Sequence, residues 1–425
     1  MGGLSATLAT ALTTLAVIAG SATGASPRVA SPGAPAQRSL TSALNKGMRA
    51  VGSYSGADVV DLNSGQTLYS NNARGARLPA SVQKLYTTSA ALLRFGPNNT
   101  LTTSVLGVGQ MHGGTFTGTL YLRGGGDPTF GSATFDRARY GAGATVQRLV
   151  TDLVNATGIR ALSGSVVADE SRFDSLRGTP ATGYAPAGEV EGELSALAFN
   201  RGWADADGTA YDRHPALVAG QQFLAALKAG GVKVPRAAQV RTGITPPGAM
   251  LLTAVHSPRI ATLVALTNTP SDNFFAETLL KDLGLRYGAG GTTADGAAVV
   301  RAAIAGHFGL HPRFDDGSGL SRYDRTTPLD IVSLLRQQAG DPQFVDSLAV
   351  AGRSGTLRDE MRGTYAQGRC RGKTGTLHDV SNVVGYCRAR DGHTLAYAFL
   401  MNSIFPDYAH PIQDQMQVAL ADYDG

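Results

Sequence analysis

The chain is poor in several things a protein of 425 residues commonly has. It holds two cysteines, one tryptophan and, among 37 basic residues, only six lysines. Two cysteines exclude a disulfide-dense scaffold and a multi-cysteine metal cluster, and the eight histidines show no metal-ligand spacing. Beyond the first 25 residues no apolar run reaches the ~18 residues that a membrane-spanning helix needs. No internal repeat is present, and the 54 glycines and 19 prolines follow no period, which excludes a collagen-like or low-complexity chain. Scarce lysine also has a positive use: each of the six can be weighed separately.

What is there suits a globular protein of two or three domains, with 43% hydrophobic residues for its cores. Residues 1–25 combine an apolar segment with small residues before Ala25, the pattern of an export signal, although no Lys or Arg precedes the apolar stretch. Residues 26–38 (SPRVASPGAPAQR) resemble a flexible Pro/Ala linker. The net charge of +5 is spread along the chain, so it reads as a solvated basic surface, and nothing resembles a nucleic-acid groove.

The segment YSGADVVDLNSGQTLYSNNA reads as two strands about the turn Asn63-Ser64-Gly65. A helix follows Pro79 and ends at Gly96-Pro97. From 101 to 254 the texture changes to short strands, glycine turns and two amphipathic helices, which marks inserted material, with a smaller subdomain nested within about 126–190. A run of helices over 257–340, alternating strands after 368 and a last helix complete an α+β plan. Its sheet is built from both chain ends, over 39–100 and 255–425.

Three short elements carry chemistry. Ser81 and Lys84 stand three apart at the start of an apolar helix, so the amine can approach the hydroxyl, and Leu78, Val82 and Leu85 offer the burial that would lower the lysine pKa towards neutrality and free its amine to act as base. Taken alone this is equally the polar start of an ordinary helix. Ser271-Asp272-Asn273 precedes another helix, where it caps well and can also present a hydroxyl and an amide to one cleft. Lys373-Thr374-Gly375-Thr376 on a strand places a cation and hydroxyls beside a glycine that admits a ligand backbone. An extended peptide could add to such an edge.

In this order, S-x-x-K, S-D-N and K-T-G resemble the signature shared by class A β-lactamases and penicillin-binding proteins. The long insertion between the first two elements, with LRGGGDPTF, VVADESRF, DDGSGLSRYDRTTP and GRSGTLRDEM, is similar to the class C low-molecular-mass penicillin-binding proteins. These are D-alanyl-D-alanine carboxypeptidases and endopeptidases with domains inserted in a transpeptidase-like fold. The resemblance covers nearly all of residues 40–425 and implies an α+β, β-lactamase/DD-transpeptidase-like domain with a large mainly-β insert.

It further implies that Ser81 is acylated by peptidoglycan stem peptides, with Lys84 taking its proton. Ser271, linked to Lys373, passes a proton to the leaving amine, and Asn273 holds the substrate amide. Thr374 and Thr376, with Gly375 and Lys373, bind the terminal carboxylate, while the N–H groups of Ser81 and Thr376 form the oxyanion hole. Asp169 would reach the cleft and take the amino end of a diaminopimelate side chain. β-Lactams would bind covalently, and no metal or cofactor is implied. Val82 and Gly202 depart from the family pattern without touching a reacting group.

Cys370 and Cys387 lie at equal distances from the centre of a hairpin loop at Leu377–Val380, which leaves a cross-strand disulfide or two buried thiols open. Other readings compete. A serine β-lactamase or esterase would need a positioned deacylation base, for which no Glu in a compact loop stands out. A non-catalytic penicillin sensor would not need every reacting group. A Ser/His/Asp hydrolase lacks its G-x-S-x-G elbow.

Overall fold

The computed structural model describes residues 34–425. The expected export signal over 1–25 and residues 26–33 of the expected linker lie outside the described residues. The rest of that linker is helix: α1 spans Ala34–Val51. Pro35 falls in the first turn, where its missing N–H costs nothing, and Leu40, Leu44, Met48 and Val51 bury one helical stripe. That apolar stripe outweighs the linker-like start.

Strands β1 (Ser55–Asp61) and β2 (Thr67–Asn71) form the first hairpin. A 3-10 turn over Ala80–Gln83 then runs into α2 (Lys84–Phe95), which ends at Gly96. The inserted chain follows as β3 (Thr102–His112), β4 (Thr115–Arg123), α3 (Ala133–Arg139), α4 (Val146–Thr157), β5 (Ala161–Asp169), α5 (Pro215–Ala229), β6 (Val240–Thr242) and β7 (Met250–His256). These strands make one five-stranded sheet in the order β6-β5-β4-β3-β7.

Within 126–190, the stretch expected to hold a nested subdomain, β5 and α4 join the sheet and core of the insert. β5 pairs in parallel with β4, and Leu149 and Leu153 of α4 share a core with Phe116, Leu120 and Val166 of the sheet. A parallel pair requires a crossover: α3 and α4 cross from β4 to β5, and α5 crosses from β5 to β6, so helices accompany the sheet of the insert.

The chain returns through α6 (Ile260–Asn268), α7 (Asn273–Tyr287), α8 (Thr293–Phe308), α9 (Pro328–Gln338) and α10 (Pro342–Val345). It ends with β8 (Ala349–Val350), β9 (Cys370–Leu377), β10 (Val380–Arg388), β11 (Thr394–Asn402) and α11 (Pro406–Ala421). The six-stranded sheet runs β2-β1-β11-β10-β9-β8, so the first strand pairs with the last. One face packs on α2 and α6–α9 through Leu85, Phe275, Leu279, Ile331 and Leu335; the other packs on α1 and α11 through Leu44, Met48, Phe399 and Met416. Each fully buried large apolar side chain contributes roughly 1.5–3 kcal/mol.

The two-residue β8 pairs only with Gly372 and Arg371. Among the described residues, β9 from Lys373 to Leu377 therefore has a free outer edge. No helix of the described residues is long and apolar enough to cross a membrane.

Candidate active site

The site forms where the start of α2, the loop before α7 and the free edge of β9 meet. Ser81 sits in the 3-10 turn, one residue after Ala80, whose φ of 46° is uncommon for a residue with a side chain. The loop at Gly319 presses against that turn: a Cβ there would lie 1.8 Å from the Ala80 carbonyl oxygen. Only glycine permits the approach, and the strained turn is held by it.

Lys84 is fully buried. Its Nζ donates to Ser81 Oγ (2.9 Å), to Asn273 Oδ1 (2.5 Å) and to the Ser318 carbonyl (2.8 Å). Three donors meet three oxygens, none from a carboxylate. Burial pulls its pKa down to about 8, against the opposing charges of Asp316, Glu191, Glu277 and Asp272. The last turn of this support is Glu277 on α7, buried, which accepts from the N–H groups of Gly317 (2.9 Å) and Ser318 (2.8 Å) and so fixes the carbonyl that Lys84 meets.

Ser271 adopts φ 72°, which turns the chain just before α7. Asp272 caps that helix by accepting from Phe275 N (2.9 Å). Its carboxylate is also gripped by Arg201 from the insert, at 2.6 and 2.9 Å. Arg201 is buried, donates through Nε to the Glu191 carbonyl (2.8 Å), and lies 4.9 Å from the centroid of the Phe274 ring. The nearby Asp272 keeps the guanidinium charged despite burial.

Lys373 Nζ, also fully buried, donates to Ser271 Oγ (2.7 Å) and to the Thr374 carbonyl (2.7 Å). Desolvation drives its pKa well below the ordinary lysine value, and the charge on Lys84 adds to that. Thr374 Oγ1 donates to Thr356 Oγ1 (2.9 Å). Gly375 lets β9 lie on the Ser81 turn, since a Cβ would meet the Pro79 carbonyl oxygen at 2.5 Å and the Val82 nitrogen at 3.1 Å. Thr376 is exposed at the mouth of a cleft of about 700 Å³ that also contains Asn273, Glu189, Glu191, His378 and Phe405.

Ser81 and Asn273 are thus joined through Lys84, and Ser271 is joined separately to Lys373, with Thr374, Gly375 and Thr376 on the adjoining edge. Asn273 is engaged on both sides, because its Nδ2 donates to the Glu189 carbonyl (2.6 Å) while its Oδ1 faces Lys84. Asp169 is not brought to this cleft. It ends β5, is buried, and accepts from Ser171 N (2.9 Å) and Thr245 N (2.8 Å), so its carboxylate closes a turn of the insert. Those bonds also hold its pKa low although burial opposes them.

Cys370 and Cys387 are register partners and form a disulfide. Among the described residues no group of three or more His, Cys, Asp or Glu could hold a metal ion. Sequence reasoning missed Arg201, Glu191, Glu277 and Thr356. Thr356 lies inside the family-like GRSGTLRDEM and Glu277 just after Ser271-Asp272-Asn273, but no spacing rule ties Arg201 to an aspartate 71 positions away.

A serine hydroxyl joined to one buried lysine, with a second serine joined to another, beside an open strand edge on an α+β fold, is an arrangement that suits an active-serine enzyme. Similarity agrees with that class. The curated relatives include a D-alanyl-D-alanine carboxypeptidase of Actinomadura sp. (strain R39), 29% identical across 88% of this chain and 82% of the relative. They also include carboxypeptidase DacB of Mycolicibacterium smegmatis, 31% identical across 82% of this chain and 76% of the relative. Among solved structures, penicillin-binding protein 4 (dacB) of Haemophilus influenzae, known also in complex with a β-lactam, superposes with a TM-score of 0.69 at 19% identity, covering 89% of this chain and 98% of that one. Residues 36–191 and 206–423 match the D-Ala-D-Ala carboxypeptidase 3 (S13) family, and the chain belongs to it.

Proposed function

We infer that the protein is a serine DD-peptidase of peptidoglycan, which hydrolyses the bond after a D-alanyl residue of stem peptides through an acyl-enzyme at Ser81. The observation that carries this reading is the 2.9 Å contact between the buried amine of Lys84 and Ser81 Oγ. In neutral form that amine has a lone pair to take the hydroxyl proton as Oγ attacks the carbonyl carbon.

The two buried lysines suggest how the base is freed. A substrate carboxylate on Thr374 and Thr376 arrives beside Lys373 and favours positive charge there. Like-charge repulsion then favours a neutral Lys84. As the tetrahedral intermediate collapses to the acyl-enzyme, the proton passes to the leaving D-amino acid amine through Ser271, which Lys373 Nζ contacts at 2.7 Å. The N–H groups of Ser81 and Thr376 would stabilise the oxyanion, a donor of that kind being worth about 10² to 10³ in rate. For Asn273 to hold a substrate carbonyl, that carbonyl takes the place now filled by Glu189.

The wall-acting relatives support action outside the cytoplasmic membrane, and an export signal at residues 1–25 is part of this proposal. β-Lactams, as mimics of the D-Ala-D-Ala end, would acylate the same serine, in keeping with the β-lactam complex of the Haemophilus protein. The test is labelled penicillin followed by peptide mapping, alongside an assay of D-Ala release from a pentapeptide and the Ser81→Ala variant. Label on the peptide bearing Ser81, with D-Ala released, is the expected result; absence of label there would end the reading.

A further inference from the structure

The basic residues that look dispersed in sequence are gathered by the fold. Beyond the disulfide end of the β9–β10 hairpin lies a cavity of about 670 Å³ lined by Arg353, Arg369, Arg371 and Arg388. Its single acidic residue is Asp346, which pairs with Arg371 at 2.7 Å. Arg353, Arg369 and Arg388 are left without a carboxylate partner among the described residues, Arg369 being stacked on the Tyr365 ring at 4.1 Å, in a chain whose net charge is +5.

The backbone makes this gathering obligatory. Arg369 and Arg371 flank Cys370, Arg371 is the register partner of Tyr386, and Arg388 N donates to the Arg369 carbonyl at 3.1 Å. The disulfide Cys370–Cys387 ties the two strands at this point, so the backbone keeps Arg369, Arg371 and Arg388 close together, and their heads, exposed except for the half-buried Arg371, line the cavity with that of Arg353. Repulsion without a built-in counter-charge is relieved by a bound anion.

We propose that this cavity is a docking site for a phosphate-bearing polyanion, separate from the catalytic cleft. A carboxylate has two oxygens and can be satisfied by one guanidinium, and the one carboxylate here, Asp346, meets only Arg371, through a single Nη1–Oδ1 bond of 2.7 Å. A phosphate group offers more oxygens to several forks at once, and arginine matches it bidentately. Three uncompensated charges call for more than one singly charged group, which favours a polymer over a free ion. Such a site would hold the enzyme on an anionic matrix while β9, the strand that also bears Lys373, works on its substrate.

The test uses the full chain and long-chain sodium polyphosphate as the probe, titrated calorimetrically at physiological salt, with inorganic phosphate and poly-glutamate as comparison arms. The triple variant Arg353→Gln/Arg369→Gln/Arg388→Gln should bind polyphosphate at least tenfold more weakly. A charge-matched triple at exposed positions of the insert, Arg137→Gln/Arg236→Gln/Arg241→Gln, should change it less than threefold. Both triples should react with penicillin at the wild-type rate, which reports that they are folded. No binding, equal weakening by both triples, poly-glutamate bound as tightly as polyphosphate, or inorganic phosphate bound as tightly as the polymer would each overturn the proposal. It does not rest on the peptidase reading, which is judged separately by acylation.

Discussion

Arg201 and Asp272 form a two-point ion pair, at 2.6 and 2.9 Å, that ties the insert to the residue lying between Ser271 and Asn273. The insert is thus a structural part of the reaction centre. Arg201→Ala leaves a largely buried carboxylate without its partner and should cost about 3–5 kcal/mol of stability. Arg201→Lys keeps a charge but loses the fork, so it should fold and react with penicillin about tenfold more slowly. Wild-type acylation by Arg201→Lys, measured by stopped mixing with labelled penicillin, would separate the insert from catalysis.

The pH dependence of acylation follows from Lys84. The base must be neutral, and its pKa is held at about 8, so below that value the neutral fraction falls tenfold per pH unit. Acylation by penicillin should rise with pH between 6 and 8 and level off above. Lys84→Arg, always charged, should lose about 10² to 10⁴ in rate on the plateau above pH 8 and should not show the rise between 6 and 8. A flat profile down to pH 6 contradicts lysine as the base.

Much of this was legible in the sequence because it rests on local rules. A spacing of three puts Ser81 and Lys84 together, alternation marks β9 to β11, and hairpin symmetry brings Cys370 to Cys387. What escaped was non-local or chemically ambiguous. Asp169 as a turn-closing carboxylate looks the same in sequence as one that binds a ligand, and only the donors Ser171 N and Thr245 N distinguish them. Residues 34–38 resemble a linker until packing on α11 turns them into helix. Arg353 and Arg388 line one cavity only because β8, just before Arg353, pairs with β9 and β9 with β10.

Gly375→Ala should damage the site more than its size suggests. The added Cβ meets the Pro79 carbonyl at 2.5 Å, so β9 must withdraw from the Ser81 turn, at a cost of about 1–3 kcal/mol. Acylation should fall by at least tenfold. Gly340→Ala, where a Cβ meets nothing within 4 Å, is the matched control and should leave both Tm and acylation unchanged.

The disulfide closes a loop with a sequence separation of 17. By loop-closure entropy, Cys370→Ser/Cys387→Ser should lose about 3 kcal/mol of stability, read as a lower Tm. The unreduced, denatured wild type should show no free thiol, and two free thiols would contradict the bond. Lys373 lies three residues along β9 from Cys370, and its contact to Ser271 comes from the opposite side of the cleft, so the folded variant should still react with penicillin.

Glu277 offers a test of how the base is tuned. Its carboxyl is buried with a pKa raised to about 7, first by desolvation and then by the neighbouring Asp316, and its charge is one of those that hold the Lys84 pKa up. Glu277→Gln keeps an oxygen to accept from Gly317 and Ser318 while removing the negative charge. Lys84 then loses part of the stabilisation of its charged form, so its pKa drops. The midpoint of the acylation profile should move to lower pH while the plateau rate stays within about threefold, because the Ser318 carbonyl is still in place. A purely structural role predicts the reverse, a lower plateau at an unmoved midpoint. For stability the sign also runs one way: a carboxyl with a raised folded pKa disfavours the fold as pH rises through the interval from its unfolded value to about 7. Over that interval Glu277→Gln should therefore gain stability relative to wild type as pH increases, measured as the difference in Tm at pH 5 and pH 7.5.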